Sequence, residues 1–232
     1  MTHPLVNRIL LPCAMMALLL LSLAYWWLEN LPHELFGMAI FGLLAWHLAV
    51  NRLWFKNLLR GQYDARRMAI VMLHMFLVLN MLVLLATSIV ISKTIFAALP
   101  IPDNIYLRDV HWFAAYWVMV IVGIHLGLHW TRVMALMRSA LKLSQQNASL
   151  TVILRLTCAL LAGLSVWSFE ILDIWSKLTF TYSLDVWNFK TSVTPFFGHW
   201  ACVVALPAIL THYSMTFWRK RQGIARPAGS QP

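Results

Sequence analysis

Charge is scarce in this chain. Of its 232 residues 8 are acidic and 18 basic, so 11% are charged, where a soluble domain carries about a quarter. Hydrophobic residues make up 61% and the mean hydropathy is +0.71, which points to lipid rather than water as the main solvent. Cysteine is rare as well: Cys13, Cys158 and Cys202 lie singly inside apolar runs and read as small buried hydrophobes. No CxxC occurs, which removes zinc-ribbon and thioredoxin chemistry, and no CxxCH, which removes covalent c-type haem attachment. No GxGxxG occurs either, and the loops are too short for a dinucleotide-binding unit. Nothing marks a second domain, so 1–232 reads as a single transmembrane domain.

The net charge of +10 is not the mark of a nucleic-acid binder, because the basic residues sit in the gaps between apolar runs. A helix needs about 20 mostly apolar residues to cross the hydrocarbon core. Six stretches qualify: 5–28, 33–55, 68–92, 110–136, 150–175 and 195–218. The first is too long for the apolar part of a signal peptide and ends in Tyr25-Trp26-Trp27, so it reads as a retained helix. The fifth holds Arg155 and Glu170 near its ends, where long side chains snorkel. The expected fold is therefore all-α: a six-helix transmembrane bundle of three helical hairpins.

Six spans put both termini on one side. That side carries 14 of the 18 basic residues, with only Lys93, Arg108, Lys177 and Lys190 opposite. The positive-inside rule makes it the cytoplasm, and the expected location is a bacterial inner membrane. Trp26, Trp27, Trp54, Trp175 and Trp218 lie near span ends and read as anchors among lipid headgroups.

The second and fourth spans resemble each other. PHELFGMAIFGLLAWHLAVN aligns with VHWFAAYWVMVIVGIHLGLH, so that His33 matches His111, Gly37 matches Ala115, and His47 matches His125. Ionisable residues inside a membrane are costly and mark function by default. A lone intramembrane histidine often does no more than bond a neighbouring helix. Here each helix repeats an interval of 14 residues, which advances about 21 Å and returns to within about 40° of the same face. Both helices run outside to inside, so His33 and His111 share an outer depth, and His47 and His125 an inner one.

Two facing imidazoles at matched depth, twice over, suit two six-coordinate haems stacked across the membrane. At the inner level His129 and His74 are the second choices, for ligation, for a propionate or for a quinone pocket. Arg52, Arg66, Arg67 and Arg132 lie near the same surface and read first as topology and lipid contacts. His199 and His212 are 13 residues apart, which turns them about 140° from each other in a regular helix, and Pro207 lies between. Neither is a first-choice ligand. Gly37, Ala115, Gly123 and Gly127 would give a flat macrocycle clearance, although small residues four apart are also a helix-packing device. Trp46 and Trp112 adjoin candidate ligands. Glu34, Glu170 and Asp173, near the outer surface, read as headgroup acids before proton acceptors.

His33-Glu34-Leu35-Phe36-Gly37, His47-Leu48-x-x-Asn51-x-x-Trp54-Phe55, His111-x-x-x-Ala115-Tyr116-Trp117 and His125-Leu126-Gly127-Leu128-His129-Trp130 together resemble a bacterial family of membrane proteins of unknown function. That family is similar to the di-haem b-type cytochromes, and the likeness covers the second to fourth spans. The interval of 14 is also similar to the haem-binding core of respiratory cytochrome b, although the quinone motif of that enzyme is absent and its ligand helices are arranged differently. The resemblance implies two haem b groups, with His33, His47, His111 and His125 as axial ligands. It also implies electron transfer across the membrane, to or from quinone.

On this reading the chain is an electron carrier, or the membrane subunit of a quinone-linked oxidoreductase. Its partners are membrane lipid, a periplasmic or cytoplasmic redox protein and quinone, with the loop at 176–194 as an outer docking place. Two other classes fit less well. A transporter would use the histidines for protons or a transition metal, but the spans hold almost no buried acids. A cofactor-free anchor subunit would leave the repeated interval without a cause.

Overall fold

A computed structural model describes residues 9–58, 60, 62–99, 102, 104–140, 148–181 and 187–224. Among them there is no strand. The elements are α1 (Leu11–Ser22), α2 (Tyr25–Leu28), α3 (Asn30–Val50), α4 (Arg52–Lys56), α5 (Ala65–Ile91), α6 (Ile105–Ala140), α7 (Ala148–Ile171), α8 (Ile174–Leu178) and α9 (Val193–Ile224). Among the described residues five segments are long and apolar enough to cross a membrane: α3, α5, α6, Val152–Ile171 of α7 and Val193–Trp218 of α9. The chain is thus an all-helical, multi-pass membrane protein.

The expected first span is not one helix. Its described part, residues 9–28, holds α1, 12 residues long, and the short α2, and residues 1–8 lie outside the description. At Leu23 and Ala24 the backbone tightens, with Leu23 N donating to the Leu20 carbonyl at 3.2 Å and Ala24 N to the Leu21 carbonyl at 3.1 Å. Leu and Ala are good helix formers, so local propensity does not break the helix here. At the turn Ala24 is completely buried, in a cluster with Met119, Phe196 and Trp200.

Elsewhere the expected spans shift by a few residues, for local reasons. α3 begins at Asn30 rather than His33, with Pro32 in its first turn, where a missing N–H costs nothing. It stops at Val50 because Asn51 turns back, its side-chain amide donating to the His47 carbonyl at 2.8 Å. α5 begins after Asp64, whose carboxylate accepts the Arg67 N–H at 2.7 Å. α7 ends at Ile171, before Asp173 takes a left-handed φ of 44°. α9 runs unbroken through Pro207.

α6 is the central rod. Its 36 residues span about 54 Å, and it packs along α5 on one side and α9 on another, while α7 packs on α9 and α1 on α3. The α6–α9 seam is very close. A Cβ on Gly123 would run into the Val204 carbonyl and come 2.5 Å from Pro207 Cγ, and one on Gly127 would run into the Ala208 carbonyl and come 2.8 Å from Thr211 Cβ. These two glycines therefore serve helix packing, not clearance for a macrocycle. α3 is the opposite case. Only 6% of its membrane-spanning window is buried, against 39% for α6, and it has no comparable packing along α5 or α6.

Candidate histidine centres

The gap beside α3 is where the outer histidines meet. His33, in the first turn of α3, and His111, on α6, have ring centroids 6.1 Å apart and planes at 70°. Two imidazoles on opposite sides of one metal ion, each bound at about 2.0 Å, have centroids roughly 6 Å apart. The spacing admits one shared ion.

The hydrogen bonds fix which nitrogen faces the gap. His33 Nδ1 lies 2.8 Å from the Ser22 carbonyl, which can only accept, so Nδ1 carries the proton. His111 Nδ1 lies 3.0 Å from Thr87 Oγ1. The single hydroxyl proton of Thr87 goes to its own helix, at 2.7 Å from the Val83 carbonyl or 3.1 Å from that of Leu84, so Thr87 accepts from His111. Both rings are therefore turned by a protein acceptor on Nδ1, and both leave the Nε2 lone pair free. That is the usual arrangement of a metal-ligating histidine. The break after α1 places the Ser22 carbonyl where His33 uses it.

A cavity of about 910 Å³ surrounds the pair, near the upper end of the range for small-molecule sites. Gly37 and Ala115 line it together with Phe41 and Leu85, and a Cβ on Gly37 would meet nothing within 4 Å. Arg108 and Lys93 stand at its polar side. Trp112 also lines it, in edge contact with Trp26 at 5.8 Å, whereas Trp46 is exposed and outside it. The lining is mostly apolar, with the basic side chains of Arg108 and Lys93 among it.

The inner level is more crowded. His74 on α5 and His125 and His129 on α6 bring ligand atoms within 4.8 Å of one another. Ring centroids are 5.0 Å apart for His74 and His125, 4.8 Å for His125 and His129, and 5.7 Å for His74 and His129. His74 donates from Nδ1 to the Ile70 carbonyl at 2.6 Å, and its Nε2 lies 3.5 Å from Nε2 of His129. His125 Nδ1 is buried without a hydrogen-bond partner, a costly state for a polar atom unless something else binds there. His47, on α3, is close enough to interact electrostatically with all three.

His33 thus meets His111, while farther along α6 the ring contacts join His74, His125 and His129, with His47 linked to them by electrostatic interaction alone. His199 and His212 stand apart: His199 Nδ1 shares a hydrogen bond with Ser168 Oγ at 2.9 Å, and His212 packs beside Tyr213 at 5.3 Å. Glu34 is not a free outer acid but is bonded to the segment after α5. Part of the expected outer docking loop, 182–186, lies outside the described residues. Sequence reasoning missed Thr87 and Ser22, since a hydroxyl or carbonyl that orients a ligand has no pattern of its own. No protein-family model, no curated protein and no solved structure matches the chain.

Proposed function

We propose that this protein is a di-haem b-type cytochrome carrying electrons across a bacterial inner membrane. One haem sits between His33 and His111 and the other between His47 and His125, with His129 and His74 as the alternative inner ligands. The observation that carries the proposal is the outer pair, with its centroid spacing of 6.1 Å across an open cavity and both Nδ1 atoms bonded to protein acceptors. The sequence resemblance to di-haem cytochromes supports the same pairing. When bound, haem supplies one-electron chemistry, and the protein supplies ligation, a low-dielectric setting and spacing. Arg108 and Lys93 would pair with propionates at the outer end.

With residues 5–28 as a first crossing the chain has six, and the charge asymmetry then supports both termini in the cytoplasm. Electrons then pass between a periplasmic or cytoplasmic redox protein and quinone or a second partner. The test is direct. Protein purified in mild detergent from haem-replete cells should be red, with a Soret band that shifts on dithionite reduction and a pyridine haemochrome count of two per chain. A colourless preparation would sink the proposal.

One observation favours a second reading for the inner level. His74, His125 and His129 converge like the ligands of a transition-metal ion, as in a metal or proton transporter. Under that reading the haem count is one, or zero, and elemental analysis finds a stoichiometric copper, zinc or iron ion outside haem.

A further inference from the structure

We propose that Glu34 is the positioning residue for the outer imidazole pair, a carboxylate tie that sets how far His33 stands from His111. The inference rests on the haem reading above. Glu34 follows His33 on α3, and its side chain reaches the segment that leaves α5. Oε1 accepts from Asn30 Nδ2 at 2.6 Å, from Lys93 N at 2.8 Å and from Thr94 N at 3.2 Å. Oε2 accepts from Ser92 Oγ at 2.8 Å, from Thr94 Oγ1 at 2.6 Å and from Ile95 N at 2.8 Å. An ionised carboxylate has about four lone-pair sites, so six donors saturate it. That leaves no capacity to ligate a metal or to collect a proton. Glu34 is a fastener.

Its position gives the fastener a purpose. α3 and α6 carry the two outer ligands but do not pack along each other. α5 does pack along α6, and it also carries Thr87, the acceptor that turns the His111 ring. Glu34 joins α3 to the end of α5, on the side of the cavity where His33 and His111 approach. Three consecutive backbone N–H groups, from Lys93, Thr94 and Ile95, converge on its two oxygens, a concavity suited to an anion. A glutamine there would set an N–H against one of those donors. The link would loosen while side-chain size stayed the same.

The experiment uses the full-length protein with its haems in detergent, and compares wild type, Glu34→Gln, Thr94→Val and His111→Ala. His111→Ala identifies which low-spin ferric EPR signal and which reductive midpoint belong to the outer haem. The expected result is that Glu34→Gln keeps two haems per chain but moves the outer signal and the outer midpoint, leaving the inner ones in place. Thr94→Val, which removes one charge-assisted donor from the other end of the tie, should shift the outer signal in the same direction by less. It also decides the question should Glu34→Gln fail to fold. Unchanged spectra and midpoints in the variants that fold would overturn the proposal, and so would equal shifts of both haems. A wild-type protein without haem would instead remove the reading on which the proposal rests.

Discussion

α6 has two opposite neighbours. Toward α9 it is sealed: Gly123 and Gly127 lie so close to the Val204 and Ala208 carbonyls that no Cβ fits. Toward α3 it is more open: Gly37 faces space, His33 approaches His111 through side chains, and Phe41 packs against the Leu84, Ala114 and Val118 cluster. The same residue type has reverse meanings on the two sides. At the seam glycine lets two backbones touch, and at the gap it keeps a volume clear. In a bilayer, lipid tails are as apolar as leucine, so helices gain little by merely coming together. On the proposed reading, the gap beside the oriented imidazoles is the place of the outer haem.

The sharpest way to break this contrast is at the seam. Gly127→Ala places a methyl against the Ala208 carbonyl, which is backbone and cannot swing aside. Overpacking costs about 1–3 kcal/mol in ordinary cores, and a backbone clash belongs at the upper end. A marked fall in melting temperature in detergent, with loss of both haems on mild heating, is expected. A variant as stable as the wild type would show that α6 and α9 are not packed as described.

At the gap, the corresponding change should leave the fold alone and remove function. Gly37→Leu adds a side chain where nothing stands within 4 Å, in the volume assigned to the outer haem. The expected outcome is an unchanged melting profile for the apoprotein and a haemochrome count falling from two to one. A count of two in that variant would mean that the cavity beside Gly37 does not hold the outer group.

How much of this was legible in the sequence follows from which forces leave a pattern. Five of the expected spans could be read because the bilayer demands a long apolar run whatever the neighbours. The histidine interval could be read because helical rise and twist are fixed, so a repeat of 14 on two helices translates directly into depth and face. The break at Leu23 and Ala24 could not, since both are good helix formers and the turn leaves no mark in the composition. The roles of Gly123 and Gly127 were ambiguous, and only the distance to α9 decides them. Glu34 looked like a headgroup acid because half of its donors are backbone N–H groups, which every residue has, and the rest are common polar side chains with no motif.

The smallest predicted effect tests the finest part of the contrast, the orientation of a ligand already at the gap. Thr87→Val preserves shape but removes the acceptor for the His111 Nδ1–H, at a position where both residues are buried. The imidazole keeps its place on α6 and loses the bond that holds its tautomer and plane. Loss of such an outer partner typically weakens metal affinity about 10–100-fold. Haem should still bind, so the count stays at two when haem is in excess. Transfer of one haem to a soluble acceptor apoprotein should speed up by about the same 10–100-fold factor, with the other unaffected. Thr87→Ser, which retains the hydroxyl, should restore the slow rate. If Val and Ser variants lose haem at the wild-type rate, the hydroxyl does not govern the ligand, and the outer imidazoles are held by packing alone.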